Sequence, residues 1–450
     1  MKTRTEPAAG VGPPNILWIV TTQWRAQASG YAGDPNARTP RLDALAAGAV
    51  NFAQAVTPHP FGPFARAALL TGVRSPENGV RDYFDPLPAQ ARTVAQVLGA
   101  RGYATAFFGK WHLYRRDPAA PMVGPAHAKM VIPPGRRGGF GHWEGFESGF
   151  LLNDPWLHGT ALPAPVQFPG YQSDVICDRA ASWIGDLGSR NAAGGTNETA
   201  GGPPIRSSQS QIRNSNASWF VVVSLEPPHP PYDAPAAGVA PRAARDLELA
   251  PNVPRGGEAE ARARRELAGY YAHLEATDRA IGRLLDRLPA AGTVVVFTSV
   301  HGDMHGAHGL FRKGWPHEES VRVPLLVRGA PGEGSGFRVL GSGLGGRSES
   351  PVSLLDLHRW TLAWAGVEPK TQNSELKTEM QRISMPSVVP LPHQCDRRWR
   401  GVRSPGRKLV VNADGTPWLF FRLDDDPGEQ SNLADDPAQA DEIAALRRRL

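Results

Sequence analysis

The segment NILWIVTTQW, residues 15–24, decides the fold of this chain. Its apolar residues follow one another without the polar alternation of a half-exposed strand, and such runs are typical of strands covered on both faces. Four later segments repeat the pattern: TAFFGK (105–110), SWFVVVSLE (218–226), TVVVFTSV (293–300) and VPLLVRG (323–329). We therefore predict a central sheet that is buried between other layers.

The segments between these strands supply the covering layers. TPRLDALAAGAV (39–50), TVAQVLGARG (93–102) and RARRELAGYYAHLEATDRAIGRLLDRL (262–288) carry apolar residues at three- and four-residue spacing. This spacing indicates amphipathic helices that pack one face on the sheet. Strands and helices together predict a three-layer α/β fold with helices on both faces of the sheet.

The length of 450 residues favours one large unit with a smaller appendage. We predict a flexible N-terminus over 1–13, a main α/β domain over 14–369 and a small C-terminal subdomain over 370–450. RKLVVN, PWLFFRL and the closing segment ADEIAALRRRL predict that this subdomain is a small antiparallel sheet capped by a helix. Residues 190–217 are rich in Gly, Ser, Asn and Thr, which predicts a disordered insertion.

Charge and composition argue against several classes of partner. The 49 basic and 43 acidic residues are spread along the chain, so no nucleic-acid surface is indicated. No signal peptide and no run of 18 apolar residues is seen, which predicts a cytoplasmic protein without a membrane partner. Cys177 and Cys395 lie far apart, without disulfide or zinc-knuckle spacing, and are predicted to be buried thiols.

Polar or unusual residues follow the predicted strands in five loops, and the carboxyl ends of strands in open α/β sheets are where ligands bind. The loops are TTQW (21–24), FGPFAR (61–66), GKWH (109–112), EPPHPPY (226–232) and VHGDMHGAHGLFRKG (300–314). Their shared position predicts one site at one edge of the sheet.

Taken in order, these loops resemble the sulfatase family. ARAALLTG is similar to the end of its nucleophile motif, GYATAFFGKWHL to its lysine-histidine loop, and TSVHGDMHGAHGLFRKGWPHEESVRVPLLVRG to its second metal loop. QWR and HGDMHGAHG are most similar to the arylsulfatase and phosphonate monoester hydrolase branch. The resemblance implies a mixed-sheet, alkaline-phosphatase-like fold and hydrolysis of sulfate or phosphate esters.

The resemblance also implies a formylglycine nucleophile, made from Cys or Ser, beside a divalent cation that is usually calcium. An alignment without gaps puts Gly62 at the nucleophile position, and an alignment with one inserted residue puts Phe61 there. Neither residue is a substrate for this modification, so no formylglycine is expected in this chain.

The implied calcium ligands are replaced as well. Thr22 stands where the family has an acidic residue, and Val300 stands where it has the aspartate of an Asp-His pair. Gln23 and His301 remain as residual ligands, and Asp303 would reach the ion only after a rearrangement of its loop. Because carboxylates dominate calcium affinity, we expect this chain to bind the ion poorly.

A histidine pair in the same loop, His305 and His308, has the three-residue spacing that brings two ligands together on a helix. Glycines interrupt this stretch, so a loop is predicted instead, and a metal site made by this pair is not expected.

The cationic residues of the family pattern are intact. Arg66, Lys110, His112, His229 and Lys313 occupy the positions to which the resemblance assigns contacts with the anionic substrate. We therefore predict a catalytically impaired protein that retains a pocket for a small sulfated or phosphorylated ligand. The alternative is an active sulfate or phosphate ester hydrolase that uses water with these Lys and His residues, or a rearranged metal site.

Overall fold

A computed structural model defines the fold over residues 12–193, 217–289, 291–331, 346–368 and 380–450, with the side chains of 188–193 left undescribed. Nearly all of the predicted flexible N-terminus (1–13) and of the predicted insertion (190–217) lies outside the described residues. The predicted domain boundary between residues 369 and 370 also lies outside them.

The strands of the described chain are β1 Asn15–Thr21, β2 Val50–Phe52, β3 Ala55–Val56, β4 Ala104–Lys110, β5 His142–Phe146, β6 Trp156–Gly159, β7 Val166–Gln167, β8 Trp219–Ser224, β9 Thr293–Ser299, β10 Leu325–Arg328, β11 Gly346–Ser348, β12 Val352–Ser353, β13 Gln381–Met385, β14 Trp399–Arg403, β15 Arg407–Asn412 and β16 Pro417–Arg422. Its α-helices are α1 Pro40–Ala47, α2 Gly62–Thr71, α3 Val94–Gly99, α4 Pro125–Ala128, α5 Gln172–Ala193, α6 Glu258–Asp286, α7 Glu318–Val321, α8 Leu355–Trp364 and α9 Ala440–Arg447. None of the helices in the described parts combines the length and the hydropathy that a membrane span requires.

The main sheet of the described chain has ten strands in the order β11-β2-β10-β9-β1-β8-β4-β5-β6-β7. Its centre is parallel: β1 pairs with β8 on one side and β9 on the other, and β4 pairs with β8 and β5. The outer pairs β10 with β9, β10 with β2, and β5 with β6 are antiparallel, so the sheet is mixed. This confirms the predicted mixed α/β architecture.

The central strand β1 shows why its sequence is an unbroken apolar run. Ile16 and Trp18 belong to a core that also contains residues of α2, α3 and α8. Leu17 and Ile19 point to the opposite face, into a second core formed with α1, α5 and α6. Because successive side chains of a strand face opposite sides, a strand between two helical layers needs apolar residues at every position. The three predicted layers are therefore present.

The C-terminal strands form a separate antiparallel sheet in the order β13-β14-β15-β16. Its own small core includes Val402, Leu409 and Phe420, on which Ile443 of α9 packs. The predicted small antiparallel sheet with a closing helix is thus confirmed.

A buried ion cluster joins this sheet to the main domain. The Arg403 guanidinium donates to both oxygens of Glu318 in α7, at 2.9 and 2.7 Å, and the Lys408 ammonium lies 2.7 Å from one of them. Both cationic residues belong to the small sheet, whereas Glu318 precedes β10 of the main sheet.

Candidate functional site

The parallel centre of the sheet brings the predicted loops to one edge. The carboxyl ends of β1, β4, β8 and β9 lie side by side because these strands are parallel neighbours. The loops that follow them therefore meet, and the first turn of α2 lies among them. Four of the five loops leave a parallel strand, and the fifth, FGPFAR, enters this helix.

Gln23 and Asp303 lie in direct contact at the centre of the site. The Gln23 side-chain amide donates to Asp303 Oδ2. The Tyr232 hydroxyl donates to the same oxygen at 2.8 Å. The backbone amides of His305 and Arg312 each donate to Asp303 Oδ1 at 3.0 Å. Burial alone would raise the pKa of Asp303, but the neighbouring His305 and Arg312 and the donated hydrogen bonds hold it well below its usual range. Asp303 is therefore a buried carboxylate.

Lys313 occupies the other side of Gln23. Its ammonium donates to Gln23 Oε1 at 2.6 Å and lies 2.9 Å from His229 Nε2. The same nitrogen lies 5.5 Å from the centre of the Phe61 ring. Burial and the positive charge of Lys110 place the pKa of Lys313 well below its usual value. Gln23 thus bridges Lys313 and Asp303, with its carbonyl on the Lys313 amine and its amide on the Asp303 carboxylate.

Lys110 has a partner that the sequence reasoning missed, Glu226. The ammonium of Lys110 forms an ion pair with Glu226 Oε1, and both side chains are buried, at 1% and 0% exposure. Gln172 holds the same carboxylate through its amide group at 3.3 Å and accepts the Glu226 backbone N–H at 2.9 Å. Burial lowers the pKa of Lys110 to about 8, against the opposing effect of Glu226. The available signal was position, because Glu226 follows β8 as Gln23 follows β1.

Arg66 and His112 form the part of the site with unused hydrogen-bonding capacity. Arg66 Nη2 donates to Thr22 Oγ1 at 2.9 Å and to Ser224 Oγ at 3.4 Å. Within the described parts of the chain, Arg66 Nε, Arg66 Nη1 and both ring nitrogens of His112 have no hydrogen-bond partner, although all four atoms are buried. Burial lowers the pKa of Arg66 to about 10, and burial together with Arg116 lowers that of His112 well below its usual value.

Gly62 and Phe61, the two positions aligned with the nucleophile, both border the site. Gly62 is the first residue of α2, and a Cβ atom added to it would lie 2.8 Å from His112 Nδ1 and 3.5 Å from Arg66 Nη1. The Phe61 ring instead packs against His301, with ring centres 6.4 Å apart. The Gly62 position therefore faces Arg66 and His112, whereas Phe61 lies on the Lys313 side.

The positions aligned with the metal ligands are engaged in other contacts. The Thr22 hydroxyl donates to the backbone carbonyl of Leu225 at 3.0 Å, in addition to accepting from the guanidinium described above. Val300 is fully buried in an apolar core. His301 Nδ1 lies 2.8 Å from the next carbonyl in the chain, and its Nε2 has no hydrogen-bond partner among the described residues.

A second ion pair behind His112 was also missed by the sequence reasoning. The Arg116 guanidinium lies 4.2 Å from the centre of the Tyr83 ring, and its Nε lies 3.7 Å from Glu147 Oε1. Backbone amides of residues 113 and 114 donate to Glu147 Oε2 at 3.2 and 3.0 Å. Burial raises the pKa of Glu147 to about 7. Nothing in the local sequence YRRD distinguishes Arg116 from a surface arginine.

Phe150 covers part of the site with an aromatic face. Its ring stacks on His229 at 4.5 Å between centres, and the Lys110 ammonium lies 5.0 Å from the ring centre. The side chain is half-buried, and its backbone φ of 55° places Phe150 in the left-handed region. The ring therefore covers one side of both Lys110 and His229.

Comparison with known proteins identifies the family. A family model described as Sulfatase matches residues 14–367. The ulvan-active sulfatase of Formosa agariphila is 32% identical over 452 aligned residues, which cover 94% of this chain and 78% of that protein.

Solved structures share the fold of this chain. The yidJ protein of Bacteroides fragilis superposes with a TM-score of 0.77 at 23% identity, covering 99% of this chain and 96% of its own. BT4656, solved in complex with its substrate D-glucosamine-2-N,6-O-disulfate, gives a TM-score of 0.73 at 20% identity, with 97% of each chain covered. The chain belongs to the sulfatase family.

Proposed function

We propose that this sulfatase-family protein binds a sulfate or phosphate ester through its cationic residues and does not hydrolyse it at the rates typical of the family. The observation that carries the proposal is Gly62. It offers no side chain at the start of α2, beside Arg66 and His112.

In the described chain, the two hydroxyl groups that Arg66 contacts do not supply a free nucleophile, and one of them, Ser224 Oγ, donates to the Lys110 carbonyl at 2.8 Å. Covalent catalysis needs a hydroxyl, thiol or equivalent atom that is activated and free to attack. The Thr22 hydroxyl already bonds to a carbonyl and to Arg66. The space next to Gly62 is taken by His112, since even a Cβ atom would lie 2.8 Å from its Nδ1.

The residues at the family metal position do not fit a calcium ion. Members of the family typically bind a divalent cation such as calcium, and such ions require several oxygen ligands, with carboxylates among them. Here the Gln23 oxygen accepts from the Lys313 ammonium, and the carboxylate of Asp303 is saturated by donated hydrogen bonds. A calcium ion would have to displace Lys313 and break these bonds, so we infer that the Lys313 side chain takes the place of the ion beside Gln23.

The same residues suit an anion. Arg66 Nε and Nη1 are buried without hydrogen-bond partners among the described residues, and a sulfate or phosphate oxygen would accept from them. The His112 ring nitrogens also have no partner there, and the neutral ring would donate from one of the two. Lys110 is already paired with Glu226, so Arg66 is the cation best placed to gain from binding.

The chemical class of the ligand follows from the relatives and from Phe150. The Formosa relative acts on ulvan by name, and BT4656 was solved with a disulfated glucosamine. A half-buried aromatic ring beside a cationic site provides an apolar face for the ring of a sugar. We therefore infer that the ligand is a sulfated saccharide.

Calorimetric titration with 4-nitrophenyl sulfate and with sulfated glucosamine tests the proposal. Arg66→Met removes a charged hydrogen-bond donor and should weaken binding about 10- to 150-fold, as expected for about 1.5–3 kcal/mol. Arg101→Met is the matched control, because Arg101 is exposed and far from the site, and it should bind as the parent does. Absence of binding, or equal loss in both variants, would refute the proposal.

A further inference from the structure

A second cluster of metal-type ligands lies outside the site described above. One donor atom from each of His308, Glu319 and Glu429 lies within 4.8 Å of the other two. Ligands of a tetrahedral zinc ion, with bonds of about 2.0–2.2 Å, lie about 3.5 Å apart, so small side-chain rotations would close the cluster. Glu319 and Glu429 are buried, at 7% and 3% exposure, and His308 is half-buried.

The cluster is assembled from distant parts of the chain. His308 follows β9, Glu319 belongs to α7, and Glu429 follows β16 in the C-terminal sheet. His308 and His305 have different neighbours. The His308 ring stacks on His317 at 4.4 Å between ring centres, whereas His305 packs on Tyr270. The absence of a metal site made by His305 and His308 together stays a prediction.

Asn252 sits among the acceptors of the cluster. Its side-chain nitrogen lies 3.1 Å from His308 Nε2, 2.7 Å from Glu319 Oε1 and 3.0 Å from the Gly428 carbonyl. An amide group has only two hydrogens, so it cannot satisfy three acceptors fully at once. Among the described residues, Glu319 Oε2 and Asn252 Oδ1 have no hydrogen-bond partner, although both atoms are buried. Acceptors therefore outnumber donors at this point.

We propose that His308, Glu319 and Glu429 bind one zinc ion, with Asn252 turning its side-chain oxygen toward the metal as a fourth ligand. A nitrogen donor combined with carboxylates matches zinc better than calcium, which takes oxygen ligands alone.

Lys408 is the main opposing feature. Its ammonium donates to Glu429 Oε1 at 2.6 Å, which places a positive charge next to the proposed ion. The same ammonium is held by Glu318 at 2.7 Å and by the Pro316 carbonyl at 2.9 Å, so it stays paired if Glu429 turns toward the metal. The bound ion would link the β9 loop, which also carries His301, to the C-terminal sheet.

The test is a titration of chelator-treated full-length protein with zinc chloride, and with calcium chloride in parallel, followed by metal analysis after desalting. We expect one zinc per chain, no retained calcium, and a rise in melting temperature with zinc. Absence of retained zinc in the parent protein would overturn the proposal.

Variants locate the ion. Glu319→Gln and His308→Gln should each weaken zinc binding at least about 10-fold, because even changes outside the ligand shell of a metal cost that much. His393→Gln is the matched control, since His393 is an exposed histidine of the kind that binds zinc adventitiously. Loss of zinc in His393→Gln, or its retention in the two ligand variants, would overturn the proposal.

Asn252→Asp keeps the test decisive if the ligand variants fold poorly. Without metal, the new carboxylate faces Glu319 and should lower the melting temperature. With zinc, it adds an anionic ligand, so the melting temperature should recover and zinc affinity should exceed that of the parent. A purely structural role of the cluster would give the loss without the recovery.

Discussion

Replacement of Glu226 by glutamine tests the electrostatics of the site most sharply. The change preserves the shape of the side chain but removes the charge that faces the Lys110 ammonium. Both members of the pair are buried, at 1% and 0% exposure, so no solvent replaces the lost charge. The new amide group would also point hydrogens at Lys110 or at the Gln172 amide, which already lies 3.3 Å from Glu226.

The expected cost follows from this burial. Removing one partner of a buried ion pair typically destabilises a protein by about 3–5 kcal/mol. Unfolding of a chain of 450 residues carries an entropy of about 0.9 kcal/mol per kelvin, so the melting temperature of Glu226→Gln should fall by about 3–5 °C if the chain unfolds as one unit.

The dependence on pH gives the sign of the effect independently. The pKa of Lys110 is about 8 with Glu226 present, below that of a lysine in the unfolded chain, and it should fall further in the variant. There is a pH range in which Lys110 is deprotonated in the folded variant but still protonated in the folded parent. In that range the unfolded variant binds one more proton than the folded variant, so the stability of the variant rises with pH. The deficit of Glu226→Gln should therefore be largest near pH 6 and shrink toward pH 8.

Differential scanning fluorimetry at several pH values measures both effects. Glu349→Gln is the matched control, because Glu349 pairs with Arg347 at the surface, with exposures of 56% and 60%, and should change stability by less than about 1 kcal/mol. Adding Lys110→Met to Glu226→Gln removes the unpaired ammonium and should restore most of the loss. A double variant less stable than Glu226→Gln, or a deficit that grows toward pH 8, would refute the reasoning.

Three further predictions concern stability elsewhere. Burial holds the pKa of His59 at about 3, whereas the unfolded chain takes up this proton below about pH 6.5. The free energy of unfolding should therefore fall by about 2 kcal/mol between neutral pH and pH 5. In His59→Gln, the melting temperature should fall less steeply as the pH is lowered. Gly62→Ala should cost about 1–3 kcal/mol because its Cβ would lie 2.8 Å from His112, whereas Gly99→Ala, which has nothing within 4 Å, should be neutral or stabilising in denaturant titrations. Glu318→Gln leaves the buried Arg403 guanidinium without a counter-charge and Lys408 with Glu429 alone, and urea titration should show a loss of at least about 3 kcal/mol in the free energy of unfolding.

The strands at the centre of the sheet could be predicted because burial on both faces leaves a continuous apolar signal. The prediction for VPLLVRG began two residues early, since the Val323 amide bonds to the Ala55 carbonyl outside the main sheet. β5 was not predicted: its sequence HWEGF holds a buried Glu144, which is tolerated because Arg179 of α5 pairs with it. That pairing joins residues in different elements and leaves no local pattern.

Some residues of the candidate site could likewise be predicted from sequence, whereas the contacts between them could not. The rule that ligands bind at the carboxyl ends of parallel strands was enough to bring Lys110 and His229 together from sequence. The contact between Gln23 and Asp303 spans 280 positions. Only the folded structure shows that Gln23, the predicted residual metal ligand, and Asp303, the nearby carboxylate, bond to one another. Glu226 was not predicted, because a pattern of cations suited to an anionic ligand does not show which carboxylate neutralises them once they are buried.

The release of 4-nitrophenol from 4-nitrophenyl sulfate by the purified chain, with calcium present, tests the central claim most directly. We predict no release above the buffer rate, with the parent protein and His112→Ala giving the same trace. Release by the parent that falls in His112→Ala would contradict the claim, because it would mean that water or an unrecognised nucleophile completes the reaction at this site.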